Sequence, residues 1–393
     1  MTVTNKQCPA CHAQRLHVFL ELQQVPIQQN TPKPSMREAQ DTTRGDIALA
    51  WCESCGFVSN TAFDTSLDIY TPDYNNAQTY SPVFQDYVDS IASMLIEERG
   101  LRHKRIVEIG CGQGDFLKKL CLQGDNNGVG FDPSYRGELT ALDGRVRFVA
   151  DFYDQRYADQ PGDLFLARHL IEHIPNTGEF ARVLRQAIGD NPSASVFFET
   201  PDVTWILKNG TFWDIFYEHC ALFSPGSLAR LFAGNGFNVS RVTPVFGGQY
   251  MWLEASPSSA AVGTIPDGLD TPEDIGQMVG DFTRHYQRKI GEMRGYLLRL
   301  QAEGQQAAVW GAGAKGVTFL NTLKPGLDIV PFVVDVNPGK QNRYIPGTGQ
   351  QIIAPAALRN IPVHTVFIMN PNYSTEIQQT LAQLGLTPSI IIL

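Results

Sequence analysis

Residues 106–117 read IVEIGCGQGDFL. An apolar, strand-like run carries Glu108 near its end, glycines then alternate, and an amphipathic run starts at Asp115. A strand, a glycine turn and a helix in this order bring bare backbone and a helix N-terminus to the carboxyl edge of a parallel sheet, where a nucleoside can bind. The stretch therefore predicts a cofactor site in an α/β fold.

The spacing of the glycines narrows the choice of cofactor. A dinucleotide fingerprint, Gly-x-Gly-x-x-Gly, has two residues between its second and third glycines, whereas Gly110, Gly112 and Gly114 alternate. The alternation favours S-adenosylmethionine over NAD, and we expect Glu108 and the three glycines to contact it. An ordinary glycine turn is the alternative.

Two further strand ends carry acidic residues. Asp132 ends a second apolar run about twenty residues on, where a carboxylate can accept from both ribose hydroxyls. Asp151 ends a third run and, with Phe152, is expected beside the adenine. Solvent-facing aspartates are the alternative, but three agreeing strand ends favour a cofactor site.

Composition limits the class of protein. The 393 residues are 43% hydrophobic and 18% charged, which is typical of two or three packed domains. A net charge of -9 without long Lys/Arg runs argues against a nucleic-acid partner and favours a small-molecule substrate. No apolar run approaches the roughly 20 residues of a membrane span and no signal-peptide core precedes the domains, so we predict a cytoplasmic protein without a membrane partner.

Four cysteines form two Cys-x-x-Cys pairs forty residues apart. Such pairs can place four thiolates tetrahedrally, and soft sulfur ligands suit Zn²⁺ in a structural role. The predicted ligands are Cys8, Cys11, Cys52 and Cys55. A redox Cys-x-x-Cys is the alternative, and His12 and His17 are near enough in sequence to compete as ligands. The polar residues 26–46 between the pairs predict a surface loop.

The remaining pattern predicts three domains. Residues 70–81, with Tyr70, Tyr74 and Tyr80, are expected either to cover the cofactor or to wedge one domain against the next. Strand and helix patterns then alternate to a closing hairpin at 239–255, followed by a Ser/Pro/Gly-rich linker and a long helix at about 271–303. We predict an α/β protein: a zinc-binding module (1–68), a doubly wound class I methyltransferase domain (69–256), a linker with the long helix (257–303) and a C-terminal Rossmann-like domain (304–393).

A second glycine turn lies in the C-terminal part. Residues 307–316 read AAVWGAGAKG, with Gly311 and Gly313 in the turn and Asp335 at the next strand end. Lys315 within the turn can meet a phosphate directly. The pattern alone leaves three alternatives open, which are bound NAD, a diphosphate or other substrate group, and a turn without a ligand.

Taken in order, these features resemble the sugar C-methyltransferases of deoxysugar biosynthesis. The four-cysteine module, the strand and glycine turn, the Glu218-His219 pair and the C-terminal GAGAKG segment occur in the same order in that family, and the resemblance covers nearly the whole chain. Most specific is the segment 334–348, which contains Lys340, Arg343 and Tyr344. The resemblance implies that the three domains enclose a nucleotide-linked keto sugar, with these residues and the second glycine turn near it.

The catalytic element departs from the family pattern. The family has Tyr-His-Glu-His where this chain has Phe216 to His219, although Glu218 and His219 match, and His173 matches another family active-site histidine. Carbon methylation needs a base near neutral pKa and donors for the enolate. We expect His219 to be the base, Glu218 to orient or anchor a hydroxyl, and His173 and Tyr217 to donate near the oxyanion.

Two other functions stay open on the sequence alone. The family's catalytic tyrosines are not all present in this chain. Their loss is compatible with an O- or N-methyltransferase that acts on a non-sugar metabolite in the same three-domain frame. A non-catalytic S-adenosylmethionine-binding assembly protein is a second alternative. The sequence lacks a Gly-x-Ser-x-Gly elbow, which argues against a serine hydrolase.

Overall fold

The computed structural model describes residues 7–67, 80–189 and 191–393. Its N-terminal module consists of β1 (Leu16–Pro26), α1 (Met36–Gln40), β2 (Arg44–Cys52) and β3 (Val58–Asn60). These strands form an antiparallel sheet that is completed by β10 (Ala221–Leu222) from the central domain. Because β10 follows directly after His219, the module is anchored next to the predicted catalytic element.

The loop predicted at 26–46 is not confined to the surface. Residues 27–31 are buried, and α1 and the start of β2 lie within the same span. The predicted tyrosine segment falls almost wholly in 68–79, outside the described residues, so that Tyr70 and Tyr74 are not placed; Tyr80 is described and half-exposed.

The central domain contains one eight-stranded sheet. Its helices are α2 (Pro82–Ser93), α3 (Asp115–Gly124), α4 (Thr177–Ile188), α5 (Val203–Asn209) and α6 (Pro225–Gly234). Besides β10, its strands are β4 (Arg105–Ile109), β5 (Asn127–Phe131), β6 (Thr140–Ala141), β7 (Val146–Val149), β8 (Leu164–Arg168), β9 (Ser195–Pro201), β11 (Phe237–Val245) and β12 (Tyr250–Pro257). The strand order is β11-β12-β9-β8-β4-β5-β7-β6, and the five strands from β9 to β7 are parallel.

This order locates the ligand site of the central domain. The chain runs from β4 outward through β5 to β7 and then returns to β8 on the other side of β4. Ligands bind where such an order reverses, in the crevice at the carboxyl ends of the strands. The glycine turn after β4 and the segment after β8 meet at this point. The antiparallel hairpin of β11 and β12 confirms the predicted closing hairpin.

The C-terminal part begins with α7 (Pro272–Ala302), which Thr271 and Asp274 cap as a capping box, at the place the sequence predicts. It continues with β13 (Gln306–Trp310), α8 (Ala314–Leu323), β14 (Phe332–Val334), β15 (Gln351–Ile353), β16 (Val363–Ile368), α9 (Ser374–Gln383) and β17 (Ser389–Ile392). All five strands are parallel, in the order β15-β14-β13-β16-β17. Its order reverses between β13 and β16, so the second glycine turn also lies at a ligand position.

One hydrophobic core joins the three parts. Ile27 and Ile47 of the module pack in the same cluster as Trp213 of the central domain, Phe282 of α7 and Phe319 of α8. The N-terminal module, the central domain and the C-terminal part are thereby packed against one another.

Candidate active site

The turn after β4 has the backbone that its glycines predict. Gly110, Gly112 and Gly114 have φ angles of 75°, 55° and 76°, in the left-handed region that favours glycine. A Cβ on Gly114 would lie 2.2 Å from Cε1 of Phe148, whereas a Cβ on Gly112 would meet nothing within 4 Å. The turn is thus packed against Phe148 at Gly114 and open at Gly112. A bound nucleoside requires such an open side.

The carboxylates at the strand ends line up with this turn. Asp132 Oδ2 accepts from the amide of Gly112 at 2.8 Å, and its Oδ1 accepts from the amide and hydroxyl of Ser134. Glu108 is buried; burial, with help from nearby Asp132 and against the charge of Arg168, raises its pKa to about 8. Its Oε2 has no hydrogen-bond partner among the described residues. These groups fit the polar parts of an adenosine cofactor.

Asp151 and Phe152 lie at the third strand end as expected. Asp151 Oδ2 accepts from the hydroxyl of Tyr157 and lies 2.8 Å from the guanidinium of Arg156; these bonds lower the pKa of Asp151. The Phe152 side chain is 60% exposed, which leaves an apolar surface available for a base.

A cavity of about 250 Å³ lies between the central and C-terminal domains. Its central-domain wall contains His169, Glu172, His173, His219 and Tyr250. Its opposite wall is the second glycine turn, with Gly311, Gly313, Lys315, Asp335 and Lys340. Tyr80, from the segment expected either to cover the cofactor or to wedge one domain against the next, also lines this cavity. The structure therefore brings most of the predicted catalytic and substrate residues together.

His219 and His173 form the centre of the first wall. Their rings meet edge to face at 4.8 Å, and His219 also packs against Phe216 at 4.0 Å. Burial, and then the charges of His173, His169 and Lys315, lower the pKa of His219 well below its ordinary 6.5. His219 is therefore neutral at pH 7 but a weaker base than the near-neutral one that the sequence analysis expected.

Sequence reasoning missed the carboxylate beside these histidines. One ligand-type atom each of Glu172, His173 and His219 lies within 4.8 Å of the other two. Glu172 is buried, and its Oε2 accepts from the Thr200 hydroxyl at 2.9 Å. Its position directly before His173, in residues 171–175 (IEHIP) that follow β8, is the sequence signal that could have marked it.

His169 was also missed, although it directly follows β8. Its Nε2 lies 2.9 Å from Glu199 Oε1 and its Nδ1 lies 3.6 Å from Glu172 Oε1. Burial opposes the charged ring, but the charge of Glu199 and the bonds to Glu172 and Glu199 raise the pKa of His169 to about 9. Arg168 lies 2.7 Å from Glu199. His169, Glu199 and Arg168 thus form a buried ionic cluster between the cofactor turn and the cavity.

Two predicted catalytic residues have other partners. The Glu218 carboxylate is buried and accepts from the backbone amides of Gln29, at 2.6 Å, and Asn30. The prediction for Tyr217 is corrected: it does not line the cavity, and its buried hydroxyl accepts from the Asp64 amide at 2.9 Å. The Tyr217 ring stacks on the ring of Phe63, a residue of the N-terminal module.

The second glycine turn repeats one hydrogen bond of the first. Asp335 Oδ2 accepts from the amide of Ala312 at 2.8 Å, as Asp132 does from Gly112. Lys315 Nζ lies 2.8 Å from Asp214 Oδ1 and donates to Gln249 Oε1 at 3.0 Å. Lys340 is buried, and burial, against the charges of Asp335 and Glu218, lowers its pKa. Both lysines can face an anionic group on the turn.

Arg343 and Tyr344 lie outside the cavity wall. Arg343 donates to the carbonyl of Pro32 at 3.3 Å, and Tyr344 forms an antiparallel bridge with Lys33. These two predicted substrate residues therefore hold the N-terminal module against the C-terminal domain.

The four predicted zinc ligands form one cluster. Their sulfurs lie within 4.8 Å of one another; Cys8 and Cys55 are 3.7 Å apart, and Cys11 and Cys52 are 3.6 Å apart. A tetrahedral Zn²⁺ with Zn–S bonds of about 2.3 Å places its sulfurs about 3.8 Å apart. The cluster has the dimensions of a four-cysteine metal site. His12 and His17 are not members of it.

Comparisons with known proteins match two parts of the chain to methyltransferase families and the chain to a curated C-methyltransferase. A methyltransferase-domain family matches residues 81–242, and a family described as the C-methyltransferase C-terminal domain matches residues 273–389. The curated C-methyltransferase NovU of Streptomyces niveus is 26% identical over 308 residues, which cover 74% of this chain and 72% of NovU.

Among solved structures, magnesium protoporphyrin IX methyltransferase ChlM of Synechocystis PCC 6803, with bound S-adenosylhomocysteine, is 18% identical over 49% of this chain and 90% of its own, with a TM-score of 0.36. The PH0226 protein of Pyrococcus horikoshii OT3 is 15% identical over 48% of this chain and 100% of its own, with a TM-score of 0.38.

The doubly wound sheet, its glycine turn and the family match define an S-adenosylmethionine-dependent methyltransferase of class I fold. The C-terminal match and the similarity to NovU narrow this further. The chain thus carries a methyltransferase domain followed by a region that matches the C-methyltransferase C-terminal domain, and it is similar to the C-methyltransferase NovU. Within the described parts of the chain, no helix has both the length and the apolar character needed to span a membrane.

Proposed function

We propose that this C-methyltransferase acts on a nucleotide-linked keto sugar or a similar carbonyl compound, through an enolate that His219 generates. The observation that carries the proposal is the position of His219, a neutral and partly buried imidazole, in the same cavity as the second glycine turn. One wall thus offers a base, and the other offers the backbone and lysines that suit a diphosphate.

The proton step follows from the position of this base. His219 takes the proton from a carbon next to the substrate carbonyl, and the electron pair of that C–H bond moves into the enolate. Bound S-adenosylmethionine supplies an electrophilic methyl group. The glycine turn after β4, with Glu108 and Asp132, would hold this cofactor, and its methyl group would be available to the enolate carbon. The imidazolium of His219 returns its proton to solvent.

Tyr250 takes the donor role that the sequence assigned to Tyr217. It lines the cavity. Burial, reinforced by Tyr373 and nearby acidic groups, raises the pKa of Tyr250 well above 10, so its hydroxyl stays protonated and can donate a hydrogen bond. His173 Nδ1 lies 2.9 Å from the carbonyl oxygen of Glu218. Because a carbonyl only accepts, Nδ1 carries the hydrogen of this bond, and Nε2 is left to face other groups. We therefore assign His173 to orienting the substrate together with Glu172.

Two supporting features belong to the same proposal. A structural Zn²⁺ held by the four cysteines would fix the module that carries β3 beside β10 and His219. The cofactor residues are Glu108, Gly110, Gly112, Gly114, Asp132, Asp151 and Phe152. The cytoplasmic location predicted from the lack of a membrane-span or signal-peptide pattern stays a prediction.

Hydrogen exchange tests the proposal directly. The protein, saturated with S-adenosylhomocysteine, is incubated in D₂O with dTDP- and UDP-linked 4-keto-6-deoxy sugars, and exchange is followed by NMR. We expect one C–H next to the carbonyl to exchange, and the same carbon to carry the methyl group when S-adenosylmethionine is supplied. Methylation at oxygen or nitrogen without any exchange would overturn the enolate mechanism.

A further inference from the structure

Asn30 is a residue of the cysteine-containing module that reaches the cavity between the other two domains. Its side chain is 4% exposed and lines the cavity, yet its Oδ1 has no hydrogen-bond partner in the described structure. Buried polar atoms are nearly always paired, so an unpaired acceptor at a cavity wall indicates a partner that the protein does not supply.

The chain around Asn30 is held from both sides. Glu218, directly before His219, accepts from the amides of Gln29 and Asn30 at 2.6 and 3.3 Å. From the C-terminal domain, Arg343 donates to the Pro32 carbonyl. The backbone at Asn30 is therefore held close to the residue before His219 and tied to the C-terminal domain.

The location of Asn30 Oδ1 determines which part of a bound substrate can reach it. Asn30 Oδ1 lies 3.9 Å from the point that a Cβ on Gly313 would occupy, and the backbone of Asn30 is tied to the residue next to His219. The amide thus lies between the reacting end of the cavity and the glycine turn. A substrate that spans both would place its ring there.

We propose that Asn30 Oδ1 accepts a hydrogen bond from a ring hydroxyl of the substrate, which makes Asn30 a specificity-determining residue supplied by the cysteine-containing module. The proposal rests on the proposed function, because it needs a hydroxyl-bearing ring beside the glycine turn. Oδ1 is an acceptor, so a hydroxyl is a matching donor, whereas an unprotonated phosphate oxygen is not.

Calorimetry on the full chain, saturated with S-adenosylhomocysteine, tests the proposal. The probes are UDP, UDP-glucose, dTDP and dTDP-glucose, and the variants are Asn30→Ala and Asn30→Asp. Gln29→Ala is the matched control, since Gln29 is equally buried and is also bound by Glu218 but does not line the cavity. Zinc content and thermal unfolding of all variants are recorded alongside.

We expect Asn30→Ala to weaken binding of the sugar conjugates about tenfold while the bare nucleotides bind as before. Asn30→Asp keeps an acceptor and should bind the conjugates better than Asn30→Ala. Equal losses for bare and conjugated nucleotides, or an Asn30→Ala profile identical to that of Gln29→Ala, would overturn the assignment. If the unmodified protein binds none of the four probes, the proposed substrate class fails, and the role of Asn30 fails with it.

Discussion

Lys315 of the second glycine turn lies 2.8 Å from Asp214 of the central domain, so the ion pair crosses the cavity between the two domains. Both side chains are mostly buried, at 19% and 13% exposed. The charge of Lys315 is thus already balanced when the turn has no anion on it. An anionic group that binds there competes with Asp214 for the lysine.

This competition predicts opposite effects for the two partners. Asp214→Asn should tighten the binding of UDP or dTDP several-fold, because Lys315 is released, whereas Lys315→Ala should weaken it by about tenfold or more. Calorimetry measures both, with Lys289→Ala as a control lysine that bonds the Asn209 carbonyl outside the cavity. Weaker nucleotide binding by Asp214→Asn would show that the pair itself holds the cavity open.

Removal of the proposed base should abolish exchange without loss of cofactor binding. His219→Ala is expected to lower the exchange rate of the substrate C–H by about 10²- to 10⁴-fold, the usual contribution of a general base. Its dissociation constant for S-adenosylhomocysteine should change less than about threefold, because His219 lies in the cavity and away from the turn after β4. His285→Ala, at an exposed position of α7, is the control and should leave both unchanged. An undiminished exchange rate in His219→Ala would assign the base to another residue.

The pH dependence of exchange follows from the lowered pKa of His219. A base must be unprotonated to act, so activity is lost as the pH falls through its pKa. Since burial lowers that pKa well below 6.5, we expect the exchange rate under kcat/KM conditions to stay level from pH 8 down to 6.5 and to fall only at lower pH. Circular dichroism over the same range checks that the protein stays folded. A loss of activity with a midpoint at 6.5 or higher would contradict the assignment.

Local spacing predicted the parts of this site that lie within one strand–turn–helix unit. The glycine turn, Asp132 and the four cysteines are signals of this kind, because the residues that act together are close in sequence or share a repeated motif. Asn30 and the placement of Tyr217 could not be predicted in this way. Both depend on β10 joining the sheet of the module. This pairs Ala221 with Ser59, far apart in the chain, and no local pattern encodes such a contact.

The glycine turn itself can be tested with a matched pair of alanines. Gly114 and Gly144 both have positive φ, 76° and 86°, but a Cβ would overlap Phe148 only at Gly114 and would meet nothing at Gly144. Gly144→Ala should cost about 1 kcal/mol of backbone strain, whereas Gly114→Ala should cost about 1–3 kcal/mol more and weaken S-adenosylhomocysteine binding at least tenfold. Denaturant unfolding and calorimetry measure the two effects. Equal costs for both variants would mean that Phe148 moves aside.

The cysteine cluster predicts one structural metal ion per chain. Cys55→Ser should lose this metal and lower the melting temperature by several degrees, because β2 ends at Cys52 and the Cys55 carbonyl also accepts from Arg230 at 2.9 Å. Cys121→Ser is the control, a buried cysteine of α3 outside the cluster, and should keep the metal. Metal analysis by mass spectrometry and thermal unfolding test both variants. Because β3 pairs with β10 beside His219, the metal-free variant should also lose exchange activity more than cofactor affinity. A metal-free natural protein whose cluster thiols form disulfides reversibly would instead support the redox alternative.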